Sequence, residues 1–189
     1  VWRNMSFLSP GVKSIRKSFD IHMFLMGTSF MLVETASIAR LSLLFGSTWL
    51  VNAFVISTIM VMILIANTLS SKNKAPSIIL SYVMLSLSLL IVYFINFDNF
   101  VGINSGKIIG TIIVSLPVLF SSFIFAEAFK KTTNSHLALG CNMLGIILGG
   151  VLEALSLWVG IKFLAIIALL IYLLSALDLF YRDILIKSE

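Results

Sequence analysis

The chain has 189 residues, of which 59% are hydrophobic and only 11% charged, with a net charge of +5. Soluble domains carry roughly 25% charged residues, and a mean hydropathy of +1.09 excludes a chain made mainly of soluble domains. An isoelectric point near 9.5 does not signal nucleic acid here, because the basic residues lack the stacking aromatic platform that such binding uses.

Residues 1–20 carry Arg3, Lys13, Arg16 and Lys17 without the apolar core of a signal peptide, and predict a basic cytoplasmic segment. The first apolar run, Ile21 to Phe45, exceeds the ~20 residues that span a bilayer core. Gly46 is suited to end it and Ser47 or Thr48 to cap the next helix. That second span continues from Trp49 to about Ser70. Lys72, Asn73, Lys74 and Pro76 form a polar turn, and a third span covers 77–96. A mixed loop at 97–107 leads to the fourth, 108–129, where Pro117 should kink the helix and free a backbone carbonyl. After a polar turn at 130–136, the fifth span covers 137–159 and the sixth 162–181, with 182–189 as a cytoplasmic tail. None of the six alternates with the period of two that a β-barrel strand requires. The expected fold is an all-α, polytopic membrane bundle of six helices over residues 21–181.

Basic residues set the orientation. Ten of the 13 fall on the side that holds both termini, and three (Arg40, Lys107 and Lys162) on the other. The positive-inside rule then places the N- and C-termini in the cytoplasm. Trp49 and Trp158 suit the outer aromatic belt under the same orientation.

Glu34 lies in the middle of the first span. A carboxylate at that depth costs roughly 2.5–3.5 kcal/mol on insertion scales, so an acid there is paired, protonated or turned to a polar cavity. Two readings follow: proton, cation or substrate handling, or a hydrogen-bonded acid that stitches helices together. Thr35 and Ser37 lie beside it, and Asn52 opens the second span. On the fifth span Cys141, Gly145 and Gly149 recur at four-residue spacing, a small-residue stripe that lets backbones approach. Asn142 and Glu153 fall on the edge of that stripe, which is expected to look inward. Glu127 precedes Lys130 and Lys131 at the three- and four-residue spacings of an interfacial ion pair. The sequence holds one cysteine and no HxxxH pair, so neither a disulfide nor a metal site is expected. Nucleophile elbow, P-loop, dinucleotide and HExxH patterns do not occur, and no catalytic residues or cofactor are assigned.

The stretch Phe24-Leu-Met-Gly-Thr-Ser-Phe-Met-Leu-Val-Glu34-Thr-Ala-Ser, followed by Leu44-Phe-Gly-Ser-Thr-Trp49-Leu-Val-Asn52, resembles the C-terminal membrane portion of bacterial spermidine-synthase-like multi-pass membrane proteins. Gly140-Cys-Asn142-Met-Leu-Gly145-Ile-Ile-Leu-Gly149-Gly150-Val-Leu-Glu153 is similar to the later glycine-rich helix of that portion. The resemblance implies a bacterial inner (plasma) membrane location and marks Glu34, Thr35, Trp49, Asn52, Asn142 and Glu153. It carries no synthase chemistry, because the soluble nucleotide-binding fold of those proteins has no counterpart among these residues. Three functions remain open. One is a module that binds or moves a small cationic solute through Glu34 and Glu153. Another is an anchor or assembly subunit for a separate soluble enzyme or larger membrane complex, and the third an intramembrane enzyme.

Overall fold

A computed structural model describes residues 19–45, 49–95 and 104–187, leaving out the side chains at 43–44, 50–52, 104–107, 159 and 182–187. The basic segment at 1–18, the caps expected at Gly46–Thr48, and 96–103 in the mixed loop lie outside the described residues. The elements are α1 (Ile21–Phe45), α2 (Trp49–Ser71), α3 (Ile78–Phe94), α4 (Asn104–Lys130), α5 (Ser135–Glu153), α6 (Ser156–Val159) and α7 (Ile161–Lys187). Among the described residues there is no strand. Among the described residues, five helices are long and apolar enough to cross a membrane. The remaining long one, α3, is an apolar helix of 17 residues, about 26 Å long at ~1.5 Å per residue. That is slightly short of the ~30 Å hydrocarbon core, a mismatch a bilayer accommodates by local thinning.

Boundaries follow local chemistry. α2 ends in a Schellman turn: Asn73 takes φ +53, its N–H donates to the Ser70 carbonyl at 3.0 Å, and the Lys74 N–H donates to Leu69 at 2.9 Å. Asparagine tolerates this left-handed conformation better than most residues, and the two bonds satisfy carbonyls left over at a helix end. Ser77 then caps α3, its hydroxyl accepting from the Leu80 N–H at 3.4 Å. The fourth helix begins at Asn104, inside the stretch expected to be loop, and passes through Pro117 without interruption.

The fifth span, expected to run unbroken through 137–159, instead tightens past Glu153. There the N–H groups of Ala154, Leu155, Leu157 and Trp158 reach carbonyls three residues back, the bonding of a 3₁₀ turn. Gly160, at φ +86, then reverses the chain into α7. Only glycine adopts that conformation at no steric cost.

Residue contacts give the directions. Asp20, just before α1, and Thr28 and Met31 of α1 meet Cys141, Gly145 and Gly149 of α5 in ascending order, so these two helices are parallel. His22 meets Ser175 of α7, while Ser37 meets Val114 of α4. The bundle therefore alternates up and down, as a chain crossing a membrane repeatedly must. α1 is its centre, packed against α5, α7, α4 and α2, while α3 bridges α4 and α7. Over the apolar windows of α1 and α4, 56% of residues are buried, against 22% in α2.

The interior mixes apolar side chains with many small polar ones, and the outer surface is apolar. Ser29, Ser81, Ser115, Ser121 and Ser175 are wholly buried, whereas Leu64, Ile147 and Leu157 are mostly exposed. Small residues at helix contacts and large apolar ones outside are the pattern of a bundle solvated by lipid. In water such a surface would form apolar patches far larger than monomers tolerate.

The α1–α5 contact is the closest. A Cβ on Gly145 would lie 2.0 Å from the Phe24 carbonyl oxygen, and one on Gly27 would lie 2.1 Å from that of Asn142. One on Gly149 would lie 2.6 Å from the Thr28 carbonyl oxygen. Backbone meets backbone here, leaving nothing flexible to yield. Gly145→Leu is expected to lower stability by at least the ~1–3 kcal/mol typical of overpacking, read as a fall in melting temperature in detergent. Gly140→Ala, with nothing within 4 Å of its Cβ, should leave the melt unchanged.

Candidate functional site

Asn142 is the pivot. It is buried beside the glycine stripe, and its side-chain amide donates to the Met23 carbonyl at 3.2 Å. The bond fixes the side chain against α1. Its amide oxygen makes no hydrogen bond among the described residues.

Beside it opens a cleft of about 220 Å³ between four helices: Met26 and Phe30 from α1, Asn67 from α2, Phe125 from α4 and Ile146 from α5 contribute to its wall. Ser122 completes the polar set, although its hydroxyl already donates to the Val118 carbonyl at 2.7 Å. The walls are otherwise apolar. Phe125 also stacks on Phe129 at 5.7 Å, which holds its ring in place.

Met26, Phe30 and Glu34 follow one another at four-residue spacing, so the acid continues the ridge that walls the cleft. Glu34 is half-buried and makes no hydrogen bond among the described residues. The pairing of Met31 with Gly149 carries three or four residues further to bring Glu34 level with Glu153. Glu153 is also half-buried and lies on the Asn142 side of α5 by helical register. Register thus places the two acids at one level of the α1–α5 pair, on the cleft side and about one turn beyond Phe30 along α1.

Other expected site residues are placed elsewhere. The Thr35 hydroxyl donates to its own helix, to the Met31 carbonyl at 3.0 Å. Ser37 donates to the Val33 carbonyl at 2.7 Å and, across the interface, to that of Val114 at 3.3 Å. Asn52 belongs to α2, and its side chain lies outside the described residues. Cys141 is buried where the Asp20 N–H meets its Sγ at 3.3 Å. Among the described residues no three His, Cys, Asp or Glu side chains gather as a metal site.

A second polar cluster escaped the reading of the sequence. His22 of α1, Tyr82 of α3 and Ser175 of α7 meet in the interior, with Ser175 Oγ 2.8 Å from His22 Nδ1 and 3.3 Å from the Tyr82 hydroxyl. All three are buried, and their hydrogen bonds tie three helices together. Residues so far apart in the chain carried no signal of adjacency. Asn67, Phe30, Phe125 and Ser122 went unrecognised as one site for the same reason.

Comparison with known proteins finds no matching family model, no matching curated protein and no matching solved structure.

Cysteine chemistry tests the cleft. Cys141, the one cysteine of the chain, should react with a maleimide only on unfolding. In a Cys141→Ala background, Asn67→Cys should label readily while folded. Equal rates at Asn67→Cys and at a buried position such as Ser121→Cys would remove the cleft.

Proposed function

We propose that this multi-pass membrane protein binds a small cationic solute in the cleft between α1, α2, α4 and α5 and passes it toward Glu34 and Glu153. The observation that carries this reading is the continuity of the cleft wall with the ridge bearing Glu34, level with a second acid on the neighbouring helix. The volume of about 220 Å³ is below the ~300–1,000 Å³ of drug-sized pockets, which favours a small solute. Phe30 and Phe125 offer aromatic faces that attract a cation by about 0.5–2 kcal/mol, and the Asn67 and Asn142 amides offer acceptors. A cation arriving at Glu34 offsets the cost of holding a carboxylate among helices. Two acids and a few amides are a sparse set for Ca²⁺, which takes 6–8 oxygen ligands, so an organic cation suits the site better.

Proteoliposomes supplied with labelled alkylammonium ions and diaminoalkanes test this reading. Glu34→Gln should cut uptake of the preferred cation at least about tenfold, the effect of losing ~1.4 kcal/mol of interaction. Phe125→Leu should weaken apparent affinity with less effect on maximal rate. Equal uptake by Glu34→Gln and the parent chain, across the whole panel, would overturn it.

A second reading has its own support. The stretches that resemble spermidine-synthase-like membrane portions lie largely in α1 and α5, the most closely packed pair. A scaffold that anchors a separate soluble enzyme would need such a rigid pair and no transport. Stoichiometric co-purification of a soluble partner, undiminished in Glu34→Gln, would favour it over transport.

A further inference from the structure

At the basic end of the bundle, outside the cleft, the α2–α3 turn and the end of α4 enclose a second cavity of about 380 Å³. Its wall is mainly polar and includes Asn73, Ser77, Glu127 and Lys131. The carboxylate of Glu127 is already engaged: the Ser70 hydroxyl donates to Oε1 at 2.6 Å, and the Lys130 ammonium lies 3.0 Å from the same oxygen. Lys130 also donates to the Ser70 carbonyl, which holds its charge against that acid. Lys131 is committed differently. It is exposed and lines the cavity, while Lys72 and Lys74 are exposed on the α2–α3 turn to either side of Asn73. The turn is held by the Schellman bonds at Asn73 and Lys74, so the cavity wall is pre-formed. Ile78, the first residue of α3, also lines the cavity.

We propose that this cavity binds a phosphate-bearing anion at the membrane surface, with Lys131 as its charged contact and Asn73 and Ser77 as polar walls. The shared chemistry is that of a phosphodiester lipid headgroup or free phosphate. Position favours the headgroup, because the cavity lies where α2, α3 and α4 leave the apolar layer. Juxtamembrane lysines contribute to anionic-lipid binding one by one, each within a short range of the surface. The ion pair with Lys130 offsets part of the Glu127 charge that would otherwise repel an anion. The inference does not depend on the solute cleft, whose lining residues are different.

Native mass spectrometry of the full chain in detergent, titrated with phosphatidylglycerol or phosphatidylcholine, tests the site. Phosphatidylglycerol should bind saturably and Lys131→Gln should weaken it about fivefold, the usual contribution of one interfacial lysine. Lys131→Arg should retain binding. Lys162→Gln removes the same charge at the other end of the bundle and should have no effect. Displacement of the lipid by inorganic phosphate would support the site with the free anion as an occupant, and retention would support it with the headgroup. Equal binding of the two lipids, or phosphatidylglycerol binding unchanged in Lys131→Gln, would overturn the proposal.

Discussion

The rest of the bundle depends on the contact of α1 with α5, where two backbones touch through glycine. In lipid no hydrophobic force drives one apolar helix onto another, so association rests on close packing and polar contacts. Gly145 and Gly27 supply the first by removing the side chain at the point of contact, which aims each Cα–H at a facing carbonyl. Such weak Cα–H···O contacts recur at helix interfaces of this kind. Asn142 supplies the second by reaching the Met23 carbonyl across the same seam. Together they fix rotation as well as distance, and rotation decides which side chains of α1 face the cleft and which face α7.

Polar side chains serve as seams elsewhere too. Ser37 joins α1 to α4, Arg40 joins α1 to α3 through the Val92 carbonyl, and the His22–Ser175–Tyr82 cluster joins α1, α7 and α3. Ser70, Glu127 and Lys130 close the α2–α4 contact at the basic end. Each bond in a membrane bundle is worth only about 0.6–2 kcal/mol. Their value lies in where they occur: three of these four seams start from α1 and hold it as a hub, fixing the register of the helices packed around it.

That arrangement produces the cleft. α1 packs against α5 on one side and α4 on another, and the bulky Met26 and Phe30 stand between those two contacts. α2 is thinly packed and covers the opening from outside with Asn67. The mainly apolar wall suits an apolar body and the few amides suit its polar end. The acids one turn and more beyond give a cation somewhere to go. At the membrane surface the balance reverses, with lysines outnumbering the one compensated acid around a polar cavity.

Much of this was legible in the residues alone. Apolar runs separated by charged turns determined the number and placement of the spans, because a bilayer core of fixed thickness demands a fixed length of helix. α1 begins and ends where its apolar run does, and the glycine stripe of α5 marked the closest contact before any partner could be named. What the chain could not show is which helix meets that stripe, or that Asn142, Asn67 and Phe125 share one cleft. It also did not show that the fifth span tightens past Glu153, since Ala154 and Leu155 are ordinary helix formers and the change lies in their bonding. Periodicity reports the direction of a side chain on its own helix, and every helix here is apolar nearly all round. Only the tertiary packing, set by backbone contact at Gly27 and Gly145, decided which of those directions became interior.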